Sequence, residues 1–135
     1  MQLAILGANG HGKVVADAAE AYGWKSVAFF DDAWPELQRN GPWPVEGGTE
    51  QLLEGLKSYD GVVVAIGNNG IRADKQQQLC SAGANLVSII HPSAVISVYA
   101  SIEAGTVVLA NAVVNACAQV GAGCIVNTGA VVEHD

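Results

Sequence analysis

A branched aliphatic residue recurs at every sixth position through the last third of this 135-residue chain, from Ala94 to Asp135. The members of the series are Ile96, Ile102, Val108, Val114, Val120, Val126 and Val132. Two positions before each of them stands a small residue, namely Ala94, Ala100, Thr106, Ala112, Ala118, Cys124 and Ala130. A period of six does not match the 3.6-residue period of an α-helix. It is the spacing of the repeats that form parallel β-helices.

Each six-residue unit is predicted to form one flat face of a triangular coil. Because side chains alternate between the two sides of a strand, the aliphatic residue and the small residue two positions earlier both point inward. A few ordinary Val-rich strands would be the alternative, but such strands would not keep one phase through seven units. We predict that five members of the series are buried in one column, namely Ile102, Val108, Val114, Val120 and Val126.

The first ninety residues show a different pattern, in which apolar strands alternate with helices. This alternation predicts a parallel sheet covered on both faces. Residues 33–48 are rich in Pro, Gly and Trp and are predicted to be irregular. The predicted strands are 2–6, 26–30, 61–66 and 86–90. The predicted helices run from Lys13 to Ala21, from Thr49, as N-cap, to about Ser58, and from Ile71 to Ala82. The predicted fold is therefore α/β plus a β-solenoid, with a Rossmann-like βαβαβ domain over 1–90 and the start of a parallel β-helix over 91–135.

The first strand runs into a glycine-rich turn, Gly7 to Gly12, that opens a helix. Backbone N–H groups at a helix N-terminus bind phosphate, so this turn is a candidate phosphate-binding element, and His11 lies where the turn meets the helix. An NAD-dependent oxidoreductase would be expected to carry the GxGxxG spacing, from which these glycines depart, and a substrate domain, which the sequence does not predict, so this class is disfavoured. A helix-capping or loop histidine is the alternative interpretation of His11.

Two further loops follow the predicted strands at their carboxyl ends, where open α/β sheets bind ligands. Asp31 and Asp32 come about twenty residues after the glycine turn, where dinucleotide folds place a ribose-binding acid, although aspartates are also common in ordinary loops. The second loop offers amide groups and, one turn into the next helix, a cation suited to phosphate. The candidate substrate-binding residues are Asn9, Gly10, His11, Asp31, Asp32, Gly67, Asn68, Asn69 and Arg72.

The composition excludes several classes of partner. The formal net charge is -7 with only six Lys and Arg residues, so no basic cluster exists to bind nucleic acid or an anionic membrane. The chain starts without a signal-peptide pattern, and no apolar run is long enough to span a membrane. Cys80, Cys117 and Cys124 form no CxxC pair, which is typical of reduced thiols and predicts a cytoplasmic protein. No metal site is predicted.

Four features together resemble the amino-sugar and sialic acid acetyltransferases, the family of the bacillosamine-pathway UDP-4-amino-sugar N-acetyltransferase. The features are the GxxGHG turn at 7–12, Asp31-Asp32, the 65–69 loop with Arg72, and Asn127 followed by Glu133-His134-Asp135. The resemblance implies a left-handed β-helix and a homotrimer. It also implies that acetyl-CoA, bound between neighbouring β-helices, acetylates the amine of a UDP-4-amino-4,6-dideoxy sugar. O-acetyl transfer of the sialic acid type and a non-catalytic nucleotide-sugar binding module remain alternatives.

The same resemblance implies roles for the site residues. Asn9, Gly10 and His11 would lie near the phosphates and sugar, Asp31 and Asp32 would bind the base or ribose, and the Gly67-Asn68-Asn69 loop would complete the pocket.

The general base implied by the resemblance is His134. This residue lies two positions after Val132, at a predicted corner of the coil, and a neutral imidazole can accept a proton at pH 7. Asp135 would hold the other ring nitrogen, and Asn127 would hydrogen-bond the reacting centre. A solvated corner histidine beside two acids is the alternative. Because the repeats stop without a capping element, we expect the natural chain to continue beyond Asp135.

Overall fold

A five-stranded sheet forms the first part of the computed structural model, which describes residues 1–135. The strands are β1 (Gln2–Leu6), β2 (Ser26–Phe30), β3 (Arg39–Asn40), β4 (Trp43–Gly47) and β5 (Gly61–Val64), and the helices are α1 (Gly10–Tyr22), α2 (Thr49–Glu54), a 3-10 turn (Leu56–Ser58) and α3 (Asn69–Ser81). The strand order is β3-β4-β2-β1-β5. Strand β1 pairs in parallel with both β2 and β5, which is the predicted βαβ arrangement.

The central strand β1 is buried on both faces. Leu3 and Ile5 pack in a cluster with residues of α1, whereas Ala4 and Leu6 pack with residues of α2 and α3. Phe29, on the neighbouring strand, is fully buried on the α1 side. Complete burial on both sides explains why these strands are continuously apolar instead of alternating.

Residues 33–48, predicted to be irregular, contribute two strands to the sheet. Strand β4 pairs in parallel with β2, and β3 returns antiparallel to β4. The ring of Trp43 packs edge-on against Phe29 with 6.0 Å between centroids. Pairing with β2 and burial against Phe29 therefore override the weak strand propensity of this Pro- and Gly-rich stretch.

Helices α1 and α3 begin where asparagine side chains from the preceding loops cap them. Asn9 caps α1 by accepting the Gly12 N–H at 3.2 Å, and Asn68 caps α3 by accepting the Ile71 N–H at 2.9 Å. For this reason α3 begins at Asn69, two residues before the predicted start. Thr49 is the first helical residue of α2 and not its N-cap, which is Gly48. None of the helices is long and apolar enough to cross a membrane.

The six-residue series forms a parallel β-helix. Its strands are β6 (Ile89–Ile90), β7 (Val95–Ile96), β8 (Ser101–Ile102), β9 (Val107–Val108), β10 (Val113–Val114), β11 (Gln119–Val120), β12 (Ile125–Val126) and β13 (Val131–Val132). They form three sheets, β13-β10-β7, β11-β8 and β12-β9-β6. Paired residues lie 18 positions apart, as Val114 and Val132 do, so one coil has three six-residue faces.

The predicted inward residues are buried, but not in one column. Val108, Val114, Val120 and Val126 are at most 7% exposed, and Ile102 is half-buried against them. Because only every third member falls on the same face, the series forms three columns, one for each sheet. The single column predicted from the sequence is therefore wrong.

The predicted strand at 86–90 divides between the two parts of the fold. Leu86 forms a bridge with Val62 of β5, whereas Ile89–Ile90 pairs with β9 and starts the β-helix. Ile89 and Val107 belong to the same buried cluster as Phe29. One apolar core therefore joins the two parts, and a division at residue 90 stays a prediction.

At the corners of the coil, the third residue after most of the inward aliphatic residues has a left-handed backbone conformation. These residues are Gly105, Asn111, Cys117, Gly123, Gly129 and Asp135, with φ between 52° and 76°. Glycine adopts this backbone conformation freely, whereas a residue with a β-carbon is strained by about 1–2 kcal/mol.

Candidate functional site

The three glycines of the turn after β1 differ in what surrounds them. A β-carbon at Gly7, whose φ is 117°, would lie 2.6 Å from the Ala65 carbonyl oxygen. A β-carbon at Gly12 would collide with the Gly7 carbonyl and with the ring of Phe29. At Gly10 a β-carbon would meet nothing within 4 Å. Gly7 and Gly12 are therefore required by packing, and Gly10 faces open space that a ligand can occupy.

Asp31 ties this turn to the end of β2. Its Oδ2 atom accepts the Ala8 N–H at 2.8 Å, and its Oδ1 atom accepts the Ala33 N–H at 2.9 Å. Both carboxylate oxygens thus have a backbone partner. The aspartate lies at the predicted edge of the sheet, where it holds the glycine turn.

Asp32 is more open and lies between α2 and α3. Its Oδ1 atom accepts the Thr49 N–H at 2.7 Å, and its Oδ2 atom lies 3.3 Å from Lys75 Nζ. The Thr49 N–H is the main reason that the pKa of Asp32 is lowered, with a further contribution from Lys75. The side chain remains 62% exposed, so its carboxylate can also accept bonds from a ligand.

Asn9, Asp31 and Asp32, but not Gly10, His11 or residues 67–69, line a cavity at the carboxyl ends of the strands, which we call the turn cavity. It has a volume of about 220 Å³ and is lined by Leu6, Gly7, Asn9, Asp31, Asp32, Ile66, Ile71 and Lys75. A neighbouring cavity of about 440 Å³ shares Asp32 and Lys75 as lining residues. This is the edge of the sheet at which open α/β folds bind ligands.

Lys75 was absent from the residues predicted to bind substrate. Its Nζ atom donates to Thr49 Oγ1 at 3.1 Å and pairs with Asp32, and it lines both cavities. The sequence places Lys75 on α3 three residues after Arg72, but only the fold shows that it reaches the carboxyl end of β2.

The loop at residues 66–69 uses its predicted polar groups internally. Asn68 caps α3, and the Asn69 side-chain oxygen accepts the Arg72 Nη2–H at 2.7 Å. The remaining acceptors of Arg72 are backbone carbonyls, and Arg72 is not among the residues that line the turn cavity. A β-carbon at Gly67 would meet nothing within 4 Å, so the loop itself is open to solvent.

His11 lies in the first turn of α1, and its Nε2 atom is buried without a hydrogen-bond partner. Burial lowers the pKa of His11 below its ordinary value of 6.5, and the positive charge of Arg72 lowers it further. The imidazole is therefore neutral at pH 7 and can act as a donor or an acceptor in the glycine turn.

The lowered pKa of His11 predicts a loss of stability in acid. Between the unfolded value of about 6.5 and the lower folded value, the unfolded chain binds the proton more readily, so stability falls as the pH falls through this window. We expect the melting temperature of the wild type to drop more between pH 7.5 and pH 5 than that of His11→Gln, measured by circular dichroism. Parallel curves for the two proteins would contradict this assignment.

His134 and Asp135 lie together at a corner of the β-helix. The His134 Nδ1 atom is 3.1 Å from Asp135 Oδ2, and the side chains are 74% and 78% exposed. The left-handed conformation of Asp135, with φ of 52°, supplies the bend that brings adjacent side chains together. They line a cavity of about 580 Å³ with five further residues, Cys117, Ala118, Gln119, Val132 and Glu133.

Asn127 is exposed and lies one face earlier, directly after β12. It is not among the residues that line the corner cavity of His134. The turn cavity is lined entirely by residues that precede the β-helix. The structure thus holds two separate groups of candidate residues, one on the α/β part and one on the β-helix.

Comparison with known proteins shows a relation over the whole chain. Residues 2–79 match the family described as the PglD N-terminal domain. The chain is 37% identical over 111 residues to the UDP-N-acetylbacillosamine N-acetyltransferase of Bacillus subtilis (strain 168). The aligned region covers 80% of this chain and 51% of that protein. The chain therefore spans about half the length of this relative.

Two solved structures share the fold. The acetyltransferase domain of PglB from Neisseria gonorrhoeae FA1090, in complex with acetyl coenzyme A, is 40% identical, has a TM-score of 0.89, and matches 99% of this chain and 65% of that chain. PerB from Caulobacter crescentus, in complex with CoA and GDP-perosamine, is 34% identical, has a TM-score of 0.92, and matches 100% of this chain and 64% of that chain. The predicted fold class, a Rossmann-like part followed by a parallel β-helix, is confirmed.

Proposed function

The chain belongs to the PglD N-terminal domain family, and on this premise we propose that it transfers an acetyl group from acetyl-CoA to the amine of a nucleotide-linked amino sugar. The observation that carries the proposal is the combination of an open cavity at the glycine turn with an exposed His134–Asp135 pair on the β-helix. The PerB structure contains CoA and GDP-perosamine, and the Bacillus relative is a UDP-N-acetylbacillosamine N-acetyltransferase. We favour a UDP-4-amino-4,6-dideoxy sugar as the substrate.

The turn cavity is the proposed site of the nucleotide sugar. Asn9, Gly10 and His11 lie at the N-terminus of α1, whose free N–H groups favour phosphate. Asp32 is the better candidate for the base or ribose, because its carboxylate is largely exposed whereas both oxygens of Asp31 are already bonded. The loop from Gly67 through Asn68 and Asn69 bounds the same edge of the sheet.

The proposed general base is His134. It removes a proton from the sugar amine as the nitrogen attacks the thioester carbonyl carbon, so that a C–N bond forms, the C–S bond breaks, and the proton can pass to the leaving thiolate of CoA. Asp135 holds Nδ1–H of the ring, which leaves Nε2 free to accept this proton. Asn127 is proposed to hydrogen-bond the reacting centre, and no residue needs to form a covalent intermediate because a thioester is already activated.

A neighbouring subunit is proposed to complete the site, in a homotrimer. The outer residues of β7, β10 and β13 form a row of valines in register, Val95, Val113 and Val131, of which the first and last are 63% and 55% exposed. Val98 and Tyr99, also exposed, lie at the corner that His134 occupies two coils later. We propose that this face packs against a second copy of the chain.

The other two outer faces differ from this valine row. On β6 and β9 the outer residues Ile89 and Val107 are only 1% exposed, because they pack on the α/β part. On β8 and β11 the outer residues are Ser101 and Gln119, which are polar and exposed. The valine row is thus an apolar outer face without a cover in the single chain, and burying it in an oligomer would stabilise the assembly.

If the valine row lies in the trimer interface, a charge introduced in this row should dissociate the trimer. Val131→Glu would bury an unpaired carboxylate in the interface, so we expect it to convert the trimer to monomers in analytical ultracentrifugation. Ser101→Glu introduces the same charge on the polar outer face, away from the cavity of His134, and is expected to leave the assembly unchanged. A wild-type monomer, or equal effects of the two substitutions, would contradict the trimer.

We also place the protein in the cytoplasm. All three cysteines are free, although Cys80 and Cys117 are exposed. Exposed free thiols are stable in a reducing compartment.

An acetyl-transfer assay tests the proposed function. The protein is incubated with acetyl-CoA and a panel of UDP- and GDP-linked amino sugars, and CoA release is followed with a thiol reagent, with a blank without acceptor to subtract the exposed cysteines. Mass spectrometry and NMR then locate the acetyl group. We expect an N-acetylated 4-amino sugar. An O-acetylated product would favour the sialic acid type of reaction, and sugar binding without CoA release would favour a binding module.

A further inference from the structure

Arg72 makes four hydrogen bonds, all to acceptors of the protein itself. Its Nε–H donates to the Gly123 carbonyl at 2.9 Å. Its Nη1 atom donates to the carbonyls of Ile66 and Gly67 at 3.0 Å and 3.1 Å, and its Nη2 atom donates to the side-chain oxygen of Asn69 at 2.7 Å. Because a guanidinium has five N–H groups, only one remains for any other partner.

The Gly123 carbonyl belongs to a corner of the β-helix, whereas the other three acceptors belong to the loop at 66–69. Arg72 therefore connects the loop that bounds the turn cavity to the part of the chain that carries His134. The loop carbonyls have no strand partner beyond β5, so the guanidinium fixes a segment that is otherwise exposed.

A second side chain of α3 supports the same connection. Gln76, one turn after Arg72 on the same side of the helix, donates to the Gly105 carbonyl at 3.4 Å. Gly105 and Gly123 are stacked corners of successive coils, and a β-carbon at Gly123 would collide with the Gln76 side chain. Glycine at these two corners thus permits both the left-handed backbone and the close approach of α3.

We propose that Arg72 is a positioning residue, which holds the 66–69 loop of the nucleotide-sugar site in place on the β-helix, and that it does not bind the phosphates. This inference rests on the proposed function for the identity of the ligand. It assigns Arg72 a different role from the phosphate contact predicted from the sequence. The guanidinium suits this role because its planar fork can reach acceptors in several directions at once.

Titration calorimetry with uridine and UDP distinguishes the two roles. If Arg72 positions the loop, Arg72→Lys, which keeps the positive charge that also acts on His11, weakens the binding of uridine and of UDP by the same factor, about 10-fold, because an ammonium group cannot replace the four directed bonds. Arg72→Met is expected to weaken the binding of uridine to the same extent. Wild-type affinity for uridine in both variants, with a loss of affinity for UDP alone, would show a phosphate contact and overturn the proposal.

Hydrogen exchange of the ligand-free protein tests the connection without any nucleotide. We expect Arg72→Met to speed exchange both in the 66–69 loop and in the corner around Gly123, whereas Gln77→Met, at an exposed position of α3, changes neither. Unchanged exchange at the Gly123 corner would overturn the proposal. If the wild type binds neither uridine nor UDP, the proposed function fails, and the exchange data alone decide the role of Arg72.

Discussion

Replacing His134 with alanine is expected to lower kcat for acetyl transfer by about 10² to 10⁴, which is the usual contribution of a general base. The KM for the nucleotide sugar should change little, because the turn cavity lies on the α/β part and His134 on the β-helix. The fold should survive, since the His134 side chain is 74% exposed and fills no core volume. Steady-state kinetics and a thermal melt of the variant measure these three quantities.

A matched control is available on the same β-helix. His91 lies at another corner, where its Nδ1 atom accepts the Ser93 N–H at 3.0 Å, and His91→Ala is expected to keep the wild-type kcat. A His134→Ala protein with the wild-type kcat would place the base elsewhere, and His11, neutral and half-buried at the glycine turn, would be the next candidate.

The β-helix was predictable because its pattern is local. Each six-residue unit carries its own inward aliphatic residue, so the strands follow from the sequence without knowledge of distant contacts. The stacking of the inward residues into three columns does not follow from one unit, since it depends on three faces closing one coil of 18 residues. The left-handed corners had a signal that was missed, because Gly105, Gly123 and Gly129 all lie three positions after a member of the series.

The site was predictable as a set of loops but not as a set of contacts. Asp31, Asp32 and the glycine turn meet at one edge of the sheet because parallel strands end together. The partners of each side chain depend on non-local packing, and so the hydrogen bond from Arg72 to the Gly123 carbonyl could not be predicted. For the same reason strand β4 was missed, since its partner β2 lies outside the local sequence.

The second large expected effect is on stability and concerns the glycine turn, where a β-carbon would be crowded at Gly12 but not at Gly10. Gly12→Ala is expected to destabilise the fold by about 3 kcal/mol, at the upper end of the usual cost of overpacking, since the new methyl group meets a backbone carbonyl and the buried Phe29 ring. For a domain of this size the melting temperature should fall by on the order of 10 °C. Neither contact can move aside easily, because Gly7 is itself packed against Ala65 and Phe29 is fully buried.

Gly10→Ala is the matched control in the same turn. Its methyl group would meet no atom within 4 Å, and Gly10 starts α1, so alanine should leave stability unchanged or raise it by up to about 1 kcal/mol. The same methyl group would enter the space proposed for the phosphates, so affinity for UDP should fall while the fold is preserved. Thermal melts with titration calorimetry on both variants therefore separate a glycine needed for packing from a glycine needed for the ligand. Equal melting temperatures for Gly12→Ala and Gly10→Ala would show that the turn relaxes to accept a side chain, and full UDP affinity in Gly10→Ala would place the phosphates elsewhere.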